Sequence, residues 1–329
     1  MPKPNTAAQA DLPNPITAAL TDVLVGLETS FNRLSVVPLI SRVPPAAPPY
    51  VTLDEAFAGG NFEVTEISEA GRVPELHVVN RSNRPVLMLD GEELVGAKQN
   101  RIVNLTILVP AKTNLPIPVT CVEAGRWRHR SRGFTSSAHA HHAHARARKV
   151  AQVSQSLAQT GKAQSDQQWI WADIEAKAAR LEVNSDTSAM AYIFEAHQPS
   201  IDEYVTGFRA VDGQCGAVFL LDGIPVGLDL FQSDVVLRKL MPKLVRSYAL
   251  DALDTSGAPA PKPIGAANRR DAAKAFLVNV SKAAQGNATV FPTVGLGQTM
   301  RVDEGDGAAA ALVLDGAVIH LAAFDLSHA

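Results

Sequence analysis

The sequence predicts an α+β fold, with mixed or antiparallel sheets built from hairpins and several packed helices. Three observations predict it. Segments of strand-like alternation and of helical periodicity follow one another without the regular β-α-β spacing of a doubly wound or Rossmann sheet. A skeleton of an aliphatic run, Leu-Asp-Gly and a second apolar run recurs at 86–96 (VLMLDGEELVG), 218–227 (VFLLDGIPVG) and 312–321 (LVLDGAVIHL). Asp-Gly between apolar runs favours a tight hairpin, because both central positions of a type I′ turn need positive φ. Prolines also flank candidate strands at Pro110, Pro116 and Pro118, where a missing N–H suits a sheet edge.

Taken in order, residues 1–14 are polar and proline-bearing and read as a loose arm, which we extend to 1–24 as a flexible N-terminal segment, with a short helix from Pro15 to Leu27. Phe31 to Ser41 reads as a strand ended by the linker Pro44 to Pro49. Phe62 to Ile67 and Glu75 to Asn80 alternate as strands do. The first Leu-Asp-Gly hairpin follows, then a strand from Val119 to Glu123. A helix is expected from Ser136 to about Gln159, and a second, capped by Ser165-Asp166, to about Leu181, with Trp169, Ile170 and Ile174 on its apolar stripe. Ser185 to Glu195 continues helically, and 200–203 starts another turn. Ala217 to Phe231 forms the second hairpin, leading through Ser233-Asp234 into a helix to about Leu253. Thr255 to Gly265 reads as a linker, Ala266 to Ala284 as a helix, and the third hairpin closes the chain. The expected organisation is one domain over 25–326, with a mainly β lobe (25–130), an α+β lobe (131–326) and a tail (327–329). The three Leu-Asp-Gly skeletons are either convergent hairpins or a diverged duplication.

At 329 residues and 46% hydrophobic content, the chain can bury a substantial core. A net charge of −3 gives no overall preference for nucleic acid or an anionic membrane. No apolar run approaches the ~18 residues that span a bilayer. Cys121 and Cys215 stand far apart without a CxxC, which excludes a disulfide framework or cysteine-rich zinc site and points to a reducing cytoplasm.

Chemistry concentrates in the first Leu-Asp-Gly segment. The later copies return with aliphatic residues, whereas this one returns with Glu92, Glu93, Lys98, Gln99, Asn100 and Arg101. Adjacent glutamates on a strand face opposite ways, so one is a candidate acid/base and the other is expected at the surface. Lys98 and Arg101 can neutralise phosphate, and Gln99 and Asn100 offer donors and acceptors to a sugar or base. The plainer alternative is pairing of these charges across the hairpin. Cys121 reads as a buried, inert thiol, with Glu123, Arg126 and Trp127 forming a ligand rim. From Arg126 to Lys149 there are six arginines, one lysine, five histidines and no acid. His139/His142 and His141/His144 are i,i+3 pairs that could chelate a metal on a helix, but a solvated Ala/His-rich helix is the simpler account and no third ligand is signalled, so no metal site is assigned. Gly295-Leu296-Gly297 lacks the third glycine of a dinucleotide fingerprint. His320 reads as a satisfied core histidine or a base.

The combination DGEELVGAKQNR (90–101), CVEAGRW (121–127), SDQQWIW (165–171), VGLGQTMR (294–301) and VIHLAAF (318–324) resembles the ARG and rhodanese-phosphatase-superfamily-associated protein domain family, from about Val25 to Leu326. The matched positions include Asp90, Gly91, Glu92, Glu93, Gly96, Lys98, Gln99, Asn100, Arg101, Cys121, Glu123, Gly125, Arg126, Trp127, Arg301 and His320. The histidine run 139–144 departs from the pattern. The family's name records association with ADP-ribosylglycohydrolases and rhodanese-phosphatase-type proteins. The resemblance therefore implies a cytoplasmic role near ADP-ribosyl or NAD-derived metabolites. The leading expectation is a nucleotide-like, phosphorylated ligand held by Asp90, Lys98, Gln99, Asn100, Arg101, Glu123, Arg126, Trp127 and Arg301. Hydrolysis would draw on Glu92, Glu93 or His320, with Mg²⁺ as the candidate ion. The rival classes are an interaction module whose interface is the first hairpin, and nucleic-acid binding through 126–149.

Overall fold

In the computed structural model, residues 13–44, 46–67, 74–254 and 265–327 are described. Helix α1 (Pro15–Thr21) starts with Asn14 accepting the Ile16 N–H and proline at its first position, where no donor is needed. Strands β1 (Val23–Val25), β2 (Thr29–Phe31), β3 (Leu34–Ser41) and β4 (Val51–Thr52) follow, and Thr52 with Glu55 closes a capping box on α2 (Leu53–Ala58). The middle of the chain is β5 (Phe62–Glu66), β6 (Glu75–Asn80), β7 (Val86–Met88), β8 (Glu92–Gly96), β9 (Arg101–Val103), β10 (Ile107–Val109), β11 (Thr113–Cys121) and β12 (Phe134–Ala140). Then come α3 (Ala143–Thr160), α4 (Gln167–Arg180), α5 (Met190–Ala196), α6 (Gln198–Gly207), β13 (Gln214–Leu221), β14 (Ile224–Phe231), α7 (Asp234–Asp254) and α8 (Ala266–Asn287). Four strands close the chain: β15 (Thr289–Pro292), β16 (Gln298–Glu304), β17 (Gly307–Leu314) and β18 (Ala317–Asp325).

The α+β class holds: the large sheets are antiparallel, and nothing is doubly wound. A nine-stranded sheet runs β1-β3-β13-β14-β18-β17-β16-β15 with β2 added on β3. A six-stranded sheet runs β12-β8-β9-β11-β6-β5, and a three-stranded one β10-β7-β4. Helices α1 and α8 cover one face of the large sheet with Ile16, Leu20, Leu277 and Ala284. On its other face α3 and α7 bury Val150, Leu240, Leu244 and Tyr248, and α7 also packs against β12. The smaller sheets share a core of Leu53, Val78, Met88, Leu94 and Val119.

The chain does not divide at 130, as composition suggested. β3 pairs with β13 from Leu34↔Leu221 to Ile40↔Gln214, so the two smaller sheets are an insertion between adjacent strands of the large one. Hydrophobic pattern cannot see such a long-range pairing. Nor are residues 13–24 a flexible arm, because α1 buries Ile16 and Leu20, and β1 starts at Val23. Residues 1–12 and most of the 255–265 linker lie outside the described residues.

Two of the three Leu-Asp-Gly skeletons are hairpins, with both turn residues at positive φ (Asp222 53° and Gly223 85°, Asp315 50° and Gly316 78°). The first is not. Only Gly91 is at positive φ there, and β7 pairs with β4 and β10, not with β8. The turn hands the chain from one sheet to another, and the hairpin is instead β8–β9, closed by residues 97–100. Its sharp corner is Gly96, at φ 136°, where a Cβ would stand 2.6 Å from the Gly133 carbonyl oxygen and from Ser131 Oγ. Gly96→Ala is expected to destabilise the fold by about 1–3 kcal/mol, read as a lower denaturant midpoint at unchanged slope.

Prolines 116 and 118 lie within β11 rather than ending it. That half of the strand pairs only with β6, leaving the other edge free of a ladder, while Val119–Cys121 pairs with β9. The expected helix from Ser136 is strand β12 up to Ala140, with α3 starting only at Ala143. Residues 185–189 likewise precede α5.

Candidate functional site

The polar residues of the β8–β9 region are almost all buried. Glu92, Glu93, Lys98, Gln99, Asn100 and Arg101 sit at 8% exposure or less. Each finds its surroundings within the chain, and together with Asp90, Arg301 and His320 the expected site residues divide into three networks.

The first lies at the end of the six-stranded sheet. Glu123 and Arg126 form a buried pair at 2.6 Å, and burial's upward push on the Glu123 carboxyl is outweighed by Arg126 and the Asn100 N–H, leaving its pKa lowered. Arg126 also donates to the carbonyls of Gly96, Ala97 and Arg128. It therefore braces the loop and is not a free phosphate ligand. Asn100 donates to Glu93 and accepts from Gly96 and Arg126. Gln99 donates to the Glu123 carbonyl and accepts from Arg101 Nη1 at 3.2 Å. Both amides are engaged in building the loop, not held out for a ribose.

Arg101 differs. Its side chain is fully buried, Nη1 is the only guanidinium nitrogen with hydrogen bonds, and Nε and Nη2 have no partner. Among the described residues no carboxylate pairs with it. An unpaired buried guanidinium costs several kcal/mol after relaxation, so its retention needs a reason. Above it stands the half-exposed Trp127, with Arg101 Cζ 5.9 Å and Lys98 Nζ 5.3 Å from the ring centroid. Cys121, facing Arg101 across β9–β11, is buried, and burial pushes its thiol up against the opposing pull of Arg101. The α4 residue Gln167 clamps the Cys121 backbone through both its N–H (2.9 Å) and its carbonyl (2.7 Å).

Glu93 belongs to the same network through Asn100 and meets His139 Nε2 at 2.5 Å, with the imidazole stacked on Phe194 at 3.9 Å. The β12 register shifts between Ser136 and Ala140, and this bulge aims His139 at a strand residue 46 positions earlier. Sequence reading placed His139 on a helix and missed this pair.

Glu92 faces the other way, but into the core rather than to the surface as expected. It meets Lys243 of α7 at 2.6 Å and accepts the Leu89 N–H, and burial raises its pKa against the pull of Lys243.

Asp90, Arg301 and His320 belong to another network, between the large sheet and α3. Asp90 pairs with Lys149, whose pKa burial lowers to about 8. Arg301 is buried and held at about 10 by desolvation, with Asp90 opposing. The Asp90 N–H donates to Thr106 Oγ1, which lies 2.8 Å from His320 Nδ1. His320 Nε2 lies 3.1 Å from Asp229, whose carboxylate also takes Arg146 at 2.8 and 3.2 Å. Both ring nitrogens of His320 are thus engaged, one by Thr106 and the other by Asp229. Arg146 and Lys149 are thus core residues, and the exposed basic residues of the run 126–149 are Arg128, His129, Arg130 and Arg132 in one loop, with Arg148 apart on α3. Asp229 and Thr106 carried no local signal in sequence, and Arg146 and Lys149 stood out only as part of the basic run 126–149; the fold alone brings the four together.

Cys121 and Cys215 are both free and buried. Among the described residues no helix is long and apolar enough to cross a membrane. No curated protein and no solved structure matches the chain. One family profile does, the ARG and Rhodanese-Phosphatase-superfamily-associated Protein domain, over residues 22–324.

Proposed function

The chain belongs to that family, and from this premise we propose that it binds a phosphorylated, nucleotide-derived metabolite, ADP-ribose-like in chemistry, at the Arg101–Trp127 site. The observation that carries the reading is the buried Arg101 guanidinium with Nε and Nη2 unpartnered. Two adjacent free N–H edges match the bidentate geometry of a phosphate, and a bound anion would supply the missing counter-charge. Lys98, on the same indole, adds a second cation suited to a diphosphate, and the half-exposed Trp127 ring offers a stacking surface to a base. The family name points the same way through its association with ARG proteins. The two free cysteines suit a cytoplasmic setting.

For hydrolysis, the acid–base pair in this network is Glu93 with His139; Glu92 is tied to Lys243 and faces elsewhere. One carboxylate beside an imidazole is not the oxygen-rich set that Mg²⁺ prefers, so no step is assigned to that ion.

Thermal unfolding with ADP-ribose, AMP or inorganic pyrophosphate tests the proposal. A ligand at 100 times its Kd adds about 2.7 kcal/mol. Pyrophosphate is expected to stabilise the protein and ADP-ribose to do so more strongly. Trp127→Ala should remove about 1–3 kcal/mol of the ADP-ribose effect and leave that of pyrophosphate. If none of the three shifts the transition, the reading fails.

A further inference from the structure

The histidine run, set aside in sequence as a solvated helix, is largely buried: His141 and His142 have no exposure and His139 has 9%. His141 is the last residue before His142, which caps α3, and its backbone is fixed on both sides. Its N–H donates to the Gly91 carbonyl at 2.8 Å, and its own carbonyl accepts from Ser247 at 2.6 Å. Yet neither nitrogen of its fully buried imidazole has a hydrogen-bond partner. A buried imidazole with two idle nitrogens is costly unless something binds there.

The neighbours supply the rest of a coordination set. The His141 and His142 rings lie 4.8 Å apart, and Asp173 of α4 approaches His142 Nε2 at 3.0 Å. One ligand atom from each of His141, His142 and Asp173 lies within 4.8 Å of the others. On its far side His142 Nδ1 faces Asp251 at 3.4 Å, and Asp251 is itself held by Lys177 at 2.7 Å. His142 Nδ1 also accepts the Ala145 N–H at 3.4 Å in capping α3, which fixes the ring with Nε2 turned to Asp173. His144 Nδ1 lies 3.6 Å from the other Asp173 oxygen and lines a cavity of about 160 Å³ with Lys177, Asp251 and Asp254, which provides an approach from outside.

We propose that His141, His142 and Asp173 form a binding site for a divalent transition-metal ion of the zinc type, unconnected with the Arg101 site. Two imidazoles and one carboxylate suit Zn²⁺ or Co²⁺, whereas Mg²⁺ and Ca²⁺ prefer all-oxygen shells. Ligand edges in a tetrahedral zinc site run about 3.4 Å, so side-chain rotation of roughly an ångström closes the set. The i,i+3 pairs read from sequence are not the ones that converge. Consecutive histidines meet because 141 precedes the helix and 142 caps it, and the third ligand comes from another helix.

The test is titration of chelator-treated full-length protein with Co²⁺, followed by its visible d–d absorption and then by Zn²⁺ displacement. Wild type is expected to take up one Co²⁺ with an absorption that Zn²⁺ abolishes. Asp173→Asn and His141→Ala should each weaken Co²⁺ binding at least tenfold. Asp173 is partly exposed, so the Asn variant decides the matter should His141→Ala fail to fold. Absence of a Co²⁺ band in wild type, or binding retained in Asp173→Asn, overturns the proposal.

Discussion

Asp229→Asn is expected to lower folding stability by about 3–5 kcal/mol at neutral pH, because it strands a buried arginine. Arg146 and Asp229 are both fully buried, and the carboxylate serves Arg146 and His320 together. The pair sits where α3 meets the large sheet, so the substitution acts at the junction on which the inserted strands rest. Its pH signature is specific. Arg146, and His320 after it, more than offset burial and hold the Asp229 pKa at about 2, against 3.8 for an ordinary aspartate. A lowered folded pKa means the contribution, about 2 kcal/mol, is fully present above pH 4 and lost as pH falls through 2. Denaturant unfolding of wild type and Asp229→Asn should therefore show a gap that is widest near neutrality and narrows between pH 4 and pH 2. A gap independent of pH would mean that the cost of the variant lies in packing rather than in the charge.

Arg101→Met is expected to do the opposite to the ligand-free protein. Replacing an unpaired buried guanidinium with an apolar side chain of similar length should raise stability by about 1–4 kcal/mol, the range in which apolar replacements of buried charge fall. The loss of its two long hydrogen bonds, to Gln99 and to the Asn100 carbonyl, offsets about 1 kcal/mol of that. A residue kept for structure destabilises when removed, and a residue kept for a ligand relieves strain and loses function. Denaturant unfolding without ligand distinguishes the two.

The parts of this molecule that sequence made legible are those set by local physics. The Asp-Gly turns at 222–223 and 315–316 were readable because both flanking runs are aliphatic and pair with each other. The cap at Asp166 was readable because a short side chain satisfies the Gln168 and Trp169 N–H groups from within the same turn. At 90–91 the same turn chemistry misled, since Val86–Met88 finds its partners in Val51–Thr52 and Ile107–Val109 and turn type alone does not choose a partner strand. Polar density at 92–101 correctly marked an unusual segment, but not which residues would be engaged. Asn100, Gln99 and Arg126 look like ligand groups in sequence and brace a loop in the structure, while Arg101, two residues from Gln99, is left unsatisfied. The β12 strand escaped notice because its centre, Thr135-Ser136-Ser137, is polar on both faces and the alanine-rich run beyond it reads as helix. The bulge that brings His139 to Glu93 has no local signature either.

Calorimetric titration of ADP-ribose into wild type and Arg101→Met tests the central claim most directly, once the variant has been shown to unfold cooperatively. Saturable binding to wild type, lost or weakened at least a hundredfold in Arg101→Met while that variant's own stability rises, is the result expected if the buried guanidinium exists to hold an anion. Equal binding by both proteins, or a variant that is destabilised with no ligand bound by either, would make Arg101 a structural residue and remove the basis for the site.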